Sequence, residues 1–297
     1  MIATRFPAGL FQRLSTTLLA SFLTIATASA QTPQAGAGAE LPSYLRDRGA
    51  GTPTSMFGTY VEKGELLVYP FFEYYLDDNA EYAPNEFGYV LDEDYRGRYR
   101  ASEGLIFLGY GVTEDLALEV EAAAISASLE TSADDPTAIA DKIEESGLGD
   151  VQTQLDWRWL RETPSRPEFF SYLEVVYPFS KDKYLIGTSD WEFKYGAGMV
   201  RGYGWGTVTF RAAVEYSRAE KKFDLGEVAL EYLKRVSPSW RLYAGVEGTQ
   251  DEIELITEAQ WHVSRHAFIK INNAFGLTSK ATDWAPEIGI VLSFPVK

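Results

Sequence analysis

The feature that most limits this chain is a period of two, repeated from Glu65 almost to the C-terminus, with charge on one side of it. In "GDVQTQLDWRWLRE" (149–162) an extended strand puts Val151, Thr153, Leu155, Trp157 and Trp159 on one side. Gln152, Gln154, Asp156 and Arg158 fall on the other. The pattern returns in twelve successive candidate strands, an even number, with no helical stretch among the strands themselves. Carboxylates sit in mid-strand: Glu73 in the first, Glu119 and Glu121 in the third, Glu174 in the fifth, Glu192 beside Lys194 in the sixth. Glu215 follows beside Arg211, then Glu227 and Glu231, Glu247 beside Arg241, Glu254 and Glu258, Lys270, and Glu287. Burying one such charge in a dry sandwich core costs several kcal/mol, by order of magnitude. A wall with lipid on one face and a wet or polar interior on the other removes most of that cost. The expected fold is therefore all-β, an antiparallel transmembrane β-barrel of about 12 strands, each about 9–11 residues where it crosses.

The links between strands agree. "GVTED", "TPSRP", "GYGWG", "VSPSW" and "SRH" are short, most with Gly, Pro or Ser. "DDNAEYAPNEFGYVLDEDYRG" and "TSADDPTAIADKIEESGLG", on the opposite side, are long. Short turns at one end and long loops at the other are the barrel asymmetry. In the second long loop Asp135 as cap and Pro136 in the first turn predict a short helix over "DDPTAIADKIEE". Trp159, Phe179, Trp191, Trp240, Trp261 and Trp284 at strand ends suit interfacial girdles.

Three domains are expected. Residues 1–30 read as a cleaved export signal: Arg5 and Arg13, an apolar run from Leu18 to Ile25, then "ATASA". Residues 31–64 read as a flexible periplasmic leader or partial plug. It either packs in the barrel mouth or trails in the periplasm. Residues 65–294 form the barrel. The expected location is the outer membrane of a Gram-negative-type cell, with outer-membrane lipid and the barrel-assembly machinery as partners. The chain has 27 Lys and Arg against 43 Asp and Glu, net -16, so no basic surface is available for nucleic acid. Without cysteine, thiolate metal sites and disulfides are excluded, and neither a cofactor nor a metal is expected.

"SGLGD" (Ser146 to Asp150), opening a barrel strand, and the closing "DWAPEIGIVLSF" (Asp283 to Phe294) resemble outer-membrane β-barrels. More narrowly they resemble the family assigned to phenol-degradation pathways and related to aromatic-compound transporters. The closing strand is similar to the assembly signal, with Gly289, Leu292 and Phe294 in register, although Pro295, Val296 and Lys297 follow. The resemblance implies passive passage of small, hydrophobic or aromatic solutes.

The inward set is Glu73, Glu119, Glu121, Asp156, Arg158, Glu174, Glu192, Lys194, Arg211, Glu215, Glu227, Glu231, Arg241, Glu247, Glu254, Glu258, Lys270 and Glu287. Either it fills the lumen with ion pairs, or it lines a hydrated path that favours cations and neutral solutes. The alternatives to a channel are a closed structural or surface-interaction barrel and, more distantly, an outer-membrane phospholipase-like enzyme. The last rests on His262 and Ser264, two apart on a strand. That family continues with Asn and Gly where this chain has Arg265 and His266, and no catalytic residue is assigned.

Overall fold

The computed structural model describes residues 41–219, 221–249 and 252–296; the expected signal at 1–30 and the first part of the leader lie outside them. Two short strands, β1 (Thr52–Pro53) and β2 (Tyr60–Val61), pair in the leader. The wall follows: β3 (Glu65–Tyr82), β4 (Tyr95–Gly111), β5 (Leu116–Glu130), β6 (Lys142–Leu148), β7 (Val151–Leu160), β8 (Glu168–Tyr177) and β9 (Glu192–Tyr203). It continues as β10 (Gly206–Ser217), β11 (Lys222–Ser237), β12 (Trp240–Gly248), β13 (Ile253–Ser264), β14 (Ala267–Gly276) and β15 (Trp284–Pro295). Neighbours pair antiparallel, and β15 pairs with β3, so the ring closes and leaves no sheet edge at that junction. β6 and β7 occupy one place in the ring: β6 pairs with the far half of β5 and β7 with the near half. The wall therefore has twelve places, as the alternation requires.

Alternation decides which side chain faces out. On β7, Leu155, Trp157 and Trp159 are 42%, 58% and 51% exposed, whereas Gln154, Asp156 and Arg158 are buried. The same split places Phe72, Leu118, Leu173, Phe210, Leu230 and Ile288 on the outside, a continuous apolar belt. Trp240 stacks on Trp261 across β12 and β13 at 6.1 Å.

The inside is less wet than the charges suggest. Leu67, Tyr69, Phe71, Phe107 and Val291 form an apolar cluster with Val61 of the leader. β3 is apolar on both faces over "LLVYPFF", which period two alone does not resolve. On β9, Gly196 and Gly198 face inward, and the rings of Tyr172 and Phe170 lie over them; a Cβ at either glycine would overlap the ring.

The second long loop corrects one expectation. No helix forms over "DDPTAIADKIEE". Asp135 does cap locally, accepting the Thr137 N–H at 2.8 Å and its hydroxyl at 2.7 Å, but Lys142–Leu148 is strand β6. The free edge of β5 is the stronger partner: Ile143, Glu145 and Gly147 turn to one face while Glu144 and Ser146 turn to the other, and pairing overrides propensity. The short loop helix is instead a single 3-10 turn, Pro84–Phe87, in the first long loop, stopped by Gly88 at φ 86.

Candidate functional site

Residues 41–63 do not trail away from the wall. They enter the ring at the short-turn end and run along the inner face. Arg48 is fully buried, with one Nη2 atom 3.2 Å from Glu162 Oε2 and 2.9 Å from Glu168 Oε2. Arg158, projecting inward from β7, donates through Nη1 to the carbonyls of Ala50 (3.0 Å) and Gly51 (2.9 Å) and reaches Glu168 at 3.3 Å. Its Nε meets Asp115 at 3.1 Å. Asp115, in the turn before β5, lies below the ordinary carboxylate range chiefly because Arg161 donates to it, with Arg158 adding to the effect.

Deeper in, the leader's tip is held from three sides. Glu119 accepts the Ser55 N–H at 3.1 and 3.2 Å and its hydroxyl. Lys270 donates to the Phe57 carbonyl at 3.1 Å and pairs with Glu258 at 3.0 Å, and Gln260 donates to the Gly58 carbonyl at 3.2 Å. Arg211 stands 5.9 Å from the centre of the Phe57 ring. The free space around this tip, between Met56, Phe57, Tyr172 and Arg211, is about 20 Å³. That admits a water molecule and excludes a solute. A larger recess of about 560 Å³ remains nearer the mouth, bounded by Tyr44, Leu45, Lys63, Glu114 and Arg161.

The expected inward residues fall into three groups. One is ion-paired: Arg211 with Glu227 (3.1 Å), Glu231 (2.6 Å) and Glu247 (2.9 Å), and Lys194 with Glu174 (3.3 Å). Arg158, Glu119 and Lys270 also bind the leader, Glu258 pairs with Lys270, and Asp156 lies beside Glu119 and accepts from Gln154 at 2.7 Å. A second group is carboxylates with no cation within 4 Å among the described residues: Glu73, Glu121, Glu192, Glu215, Glu254 and Glu287. Tyr69 donates to Glu287, and Glu73 stands directly opposite both Glu287 and Glu103. Arg241 forms the third group: it stands opposite Arg235 and has no carboxylate within 4 Å among the described residues. Among the described residues no three of His, Asp or Glu are arranged to hold a metal ion. The His262 ring stacks on Phe268 at 4.6 Å, and Ser264 Oγ accepts the His266 N–H at 3.1 Å, so these side chains are engaged separately.

The seam between β6 and β8 escaped sequence reasoning. β8 pairs with β7 and β9, and β6 pairs only with β5, so the ladder stops at Gly149–Asp150. The 178–191 loop fills the gap from inside. Asp150 accepts the N–H groups of Ser180 (3.0 Å) and Thr188 (2.5 Å), and Glu145 accepts those of Tyr184 (3.1 Å) and Leu185 (2.7 Å). Lys183 donates to the Ser146 carbonyl. Leu185 and Ile186, fully buried, join Tyr82, Tyr99, Ile125 and Leu129 in an apolar cluster in the long-loop half of the barrel. The "GLGD" signal marked the place; what Asp150 holds was not in it. Glu162 and Glu168 flank the turn "TPSRP", where a charged residue reads as solvated.

No family model matches the chain, and no curated protein matches it. Among solved structures it resembles an outer membrane channel from Pseudomonas putida F1. The identity is 14% over 78% of this chain and 96% of that chain, with a TM-score of 0.57. The translocator domain of the autotransporter NalP from Neisseria meningitidis matches at 11% identity, over 78% and 89% of the two chains, with a TM-score of 0.41. The Ralstonia pickettii toluene transporter TbuX matches at 10%, over 79% and 90%, with a TM-score of 0.39.

Proposed function

We propose that this protein is an outer-membrane channel for passive passage of small, largely apolar solutes, acting without catalysis. The observation that carries the reading is the pairing of a blocked centre with a weak seam. The leader closes the polar route down the barrel axis. Beside it, an apolar cluster in the long-loop half borders a junction that, alone among the described residues of the wall, is closed by a loop instead of a ladder. A solute that partitions among Tyr82, Tyr99, Leu185 and Ile186 needs only the 178–191 loop to yield in order to reach the lipid belt. The exposed apolar belt, and the likeness in fold to an outer membrane channel, support placing the wall in the outer membrane. The same leader also favours a second reading, a closed barrel with a structural role, because the tip leaves no room for a solute.

One experiment separates them. Purified protein in vesicles is assayed for ion conductance and, separately, for uptake of a small neutral aromatic compound. The channel reading expects little conductance, with aromatic uptake above that of empty vesicles and raised further by Asp150→Ala. Uptake equal to that of empty vesicles for both forms, with the fold verified by heat-modifiable gel mobility, leaves the structural reading.

A further inference from the structure

We infer that Arg235, Arg241 and His262 form a binding site for a small carboxylate on the inner wall at the short-turn end. Arg235 and Arg241 are direct cross-strand partners on β11 and β12, so two guanidinium groups share one face side by side. Like charges placed opposite each other are destabilising. Every other inward cation described above, Arg48, Arg158, Lys194, Arg211 and Lys270, meets a carboxylate within 3.3 Å. Neither Arg235 nor Arg241 has one within 4 Å among the described residues. In a chain with 43 acidic residues that is not for want of carboxylates.

The nearest acid, Asp47 of the leader, is already engaged. It accepts the Arg235 backbone N–H at 3.0 Å and faces Lys234 Nζ at 3.4 Å. Arg235 Nε, Arg241 Nε and His262 Nε2 are all occluded and have no hydrogen-bond partner. Arg241 stands opposite Gln260, and His262 is the next inward position beyond it on β13. The occluded nitrogens mark how closely the three side chains pack, and the Nη atoms of the two arginines, which are not occluded, are left on one face without an acceptor among the described residues. The guanidinium fork matches a carboxylate in two bonds. The stacked rings of His262 and Phe268 supply a flat apolar surface next to it. A planar acid with an aromatic or short apolar body fits that combination. As a station on a solute path the site rests on the channel reading; as a binding site it does not.

The chain has two histidines, so isotope-labelled histidine reports on the site directly by NMR in detergent. Benzoate is expected to move the His262 ring signals saturably in the millimolar range and to leave His266 unmoved. Arg241→Gln and Arg235→Gln should each weaken that response about tenfold or more. Both variants are expected to fold, since each relieves a like-charge pair, and heat-modifiable mobility checks this. Arg218→Gln, exposed at the opposite end and paired with Asp190, should change nothing. The inference is overturned if benzoate gives no saturable shift, if benzyl alcohol or chloride at matched strength moves His262 as much, or if both arginine variants respond like the wild type. Passage is not read by this measurement, so a barrel that transports nothing still gives the expected shift.

Discussion

Replacing Arg48 by Gln tests whether the leader closes the barrel. In the structure one guanidinium bridges two carboxylates, and all three side chains are shut off from solvent. Removing one partner of a buried pair costs about 3–5 kcal/mol, because the charge left behind is uncompensated. Here the loss falls toward the lower figure. Glu168 keeps Arg158 at 3.3 Å, and Glu162 keeps Arg201 at 3.4 Å and the Gly202 N–H at 2.9 Å. About 3 kcal/mol corresponds to roughly a hundredfold shift from the seated to the unseated leader. The assay is single-channel recording in a planar bilayer, comparing wild type, Arg48→Gln, a deletion of residues 41–63, and Arg46→Gln. Among the described residues Arg46 is held to the Gly204 carbonyl alone, at the rim and at 3.0 Å, and it serves as the control. The expected order is near silence in the wild type and in Arg46→Gln, intermittent openings in Arg48→Gln, and steady current in the deletion. Steady current in the deletion with silence in Arg48→Gln would show that this ion pair does not hold the leader. Silence in all four, with the fold verified, refutes the reasoning that the leader is what closes the path.

Leu155→Arg, on the apolar belt, should cost about 2–4 kcal/mol if it lies near the midplane, and Gln154→Arg less, because Asp156 and Glu119 stand on that face; unfolding in urea measures both, and equal costs refute the facing. Gly196→Ala should cost about 1–3 kcal/mol by overpacking against Tyr172, and Tyr172→Leu in the same chain should recover most of it. Asp150→Ala orphans two N–H groups at about 1–3 kcal/mol each and should raise proteolysis and hydrogen exchange within 178–191 first. Because the Asp115 carboxyl is held low, its contribution to the mouth is complete above the ordinary carboxylate value and is lost as pH falls through the lowered one. Leader openings are therefore expected to appear in acid and to need a lower pH than an unshifted aspartate would require; openings that grow instead as pH rises contradict this.

The wall was legible because lipid and polar interior impose opposite demands on alternate residues. Leu155, Trp157 and Trp159 against Gln154, Asp156 and Arg158 can be sorted without coordinates, and the twelve places follow from repeating the exercise. What was not legible has no period. The leader is short of apolar residues and reads as loose, yet its backbone carbonyls are what Arg158, Lys270 and Gln260 recognise, and a carbonyl leaves no mark in a sequence. Lys142–Leu148 misled for a different reason. Asp135 and Pro136 are good helix openers, but the decisive fact is a vacant strand edge on β5, which a capping motif does not encode. Arg241 was expected on the inner wall; that its cross-strand neighbour would be Arg235 depended on a register shift next to Val236 that alternation does not reveal.

The ring is closed around residues 41–63, which lead directly into β3, and this bears on the order of assembly. The leader precedes β3, and β3 and β15 are the two strands that meet last along the sequence. The junction is tied to the leader's exit, with Gly64 accepting from the Val296 N–H at 2.6 Å and donating to the Gly111 carbonyl at 2.7 Å. Before β15 docks, Glu119, Glu258 and Arg211 are solvated and the leader can enter from the side. Afterwards it must thread end-on past Tyr172 and Tyr243. If β15 docks last, closure with the leader already inside is the short route, and the final strand then fixes the occupant together with the wall. A barrel closed empty would be a kinetic isomer of the same chain, slow to fill.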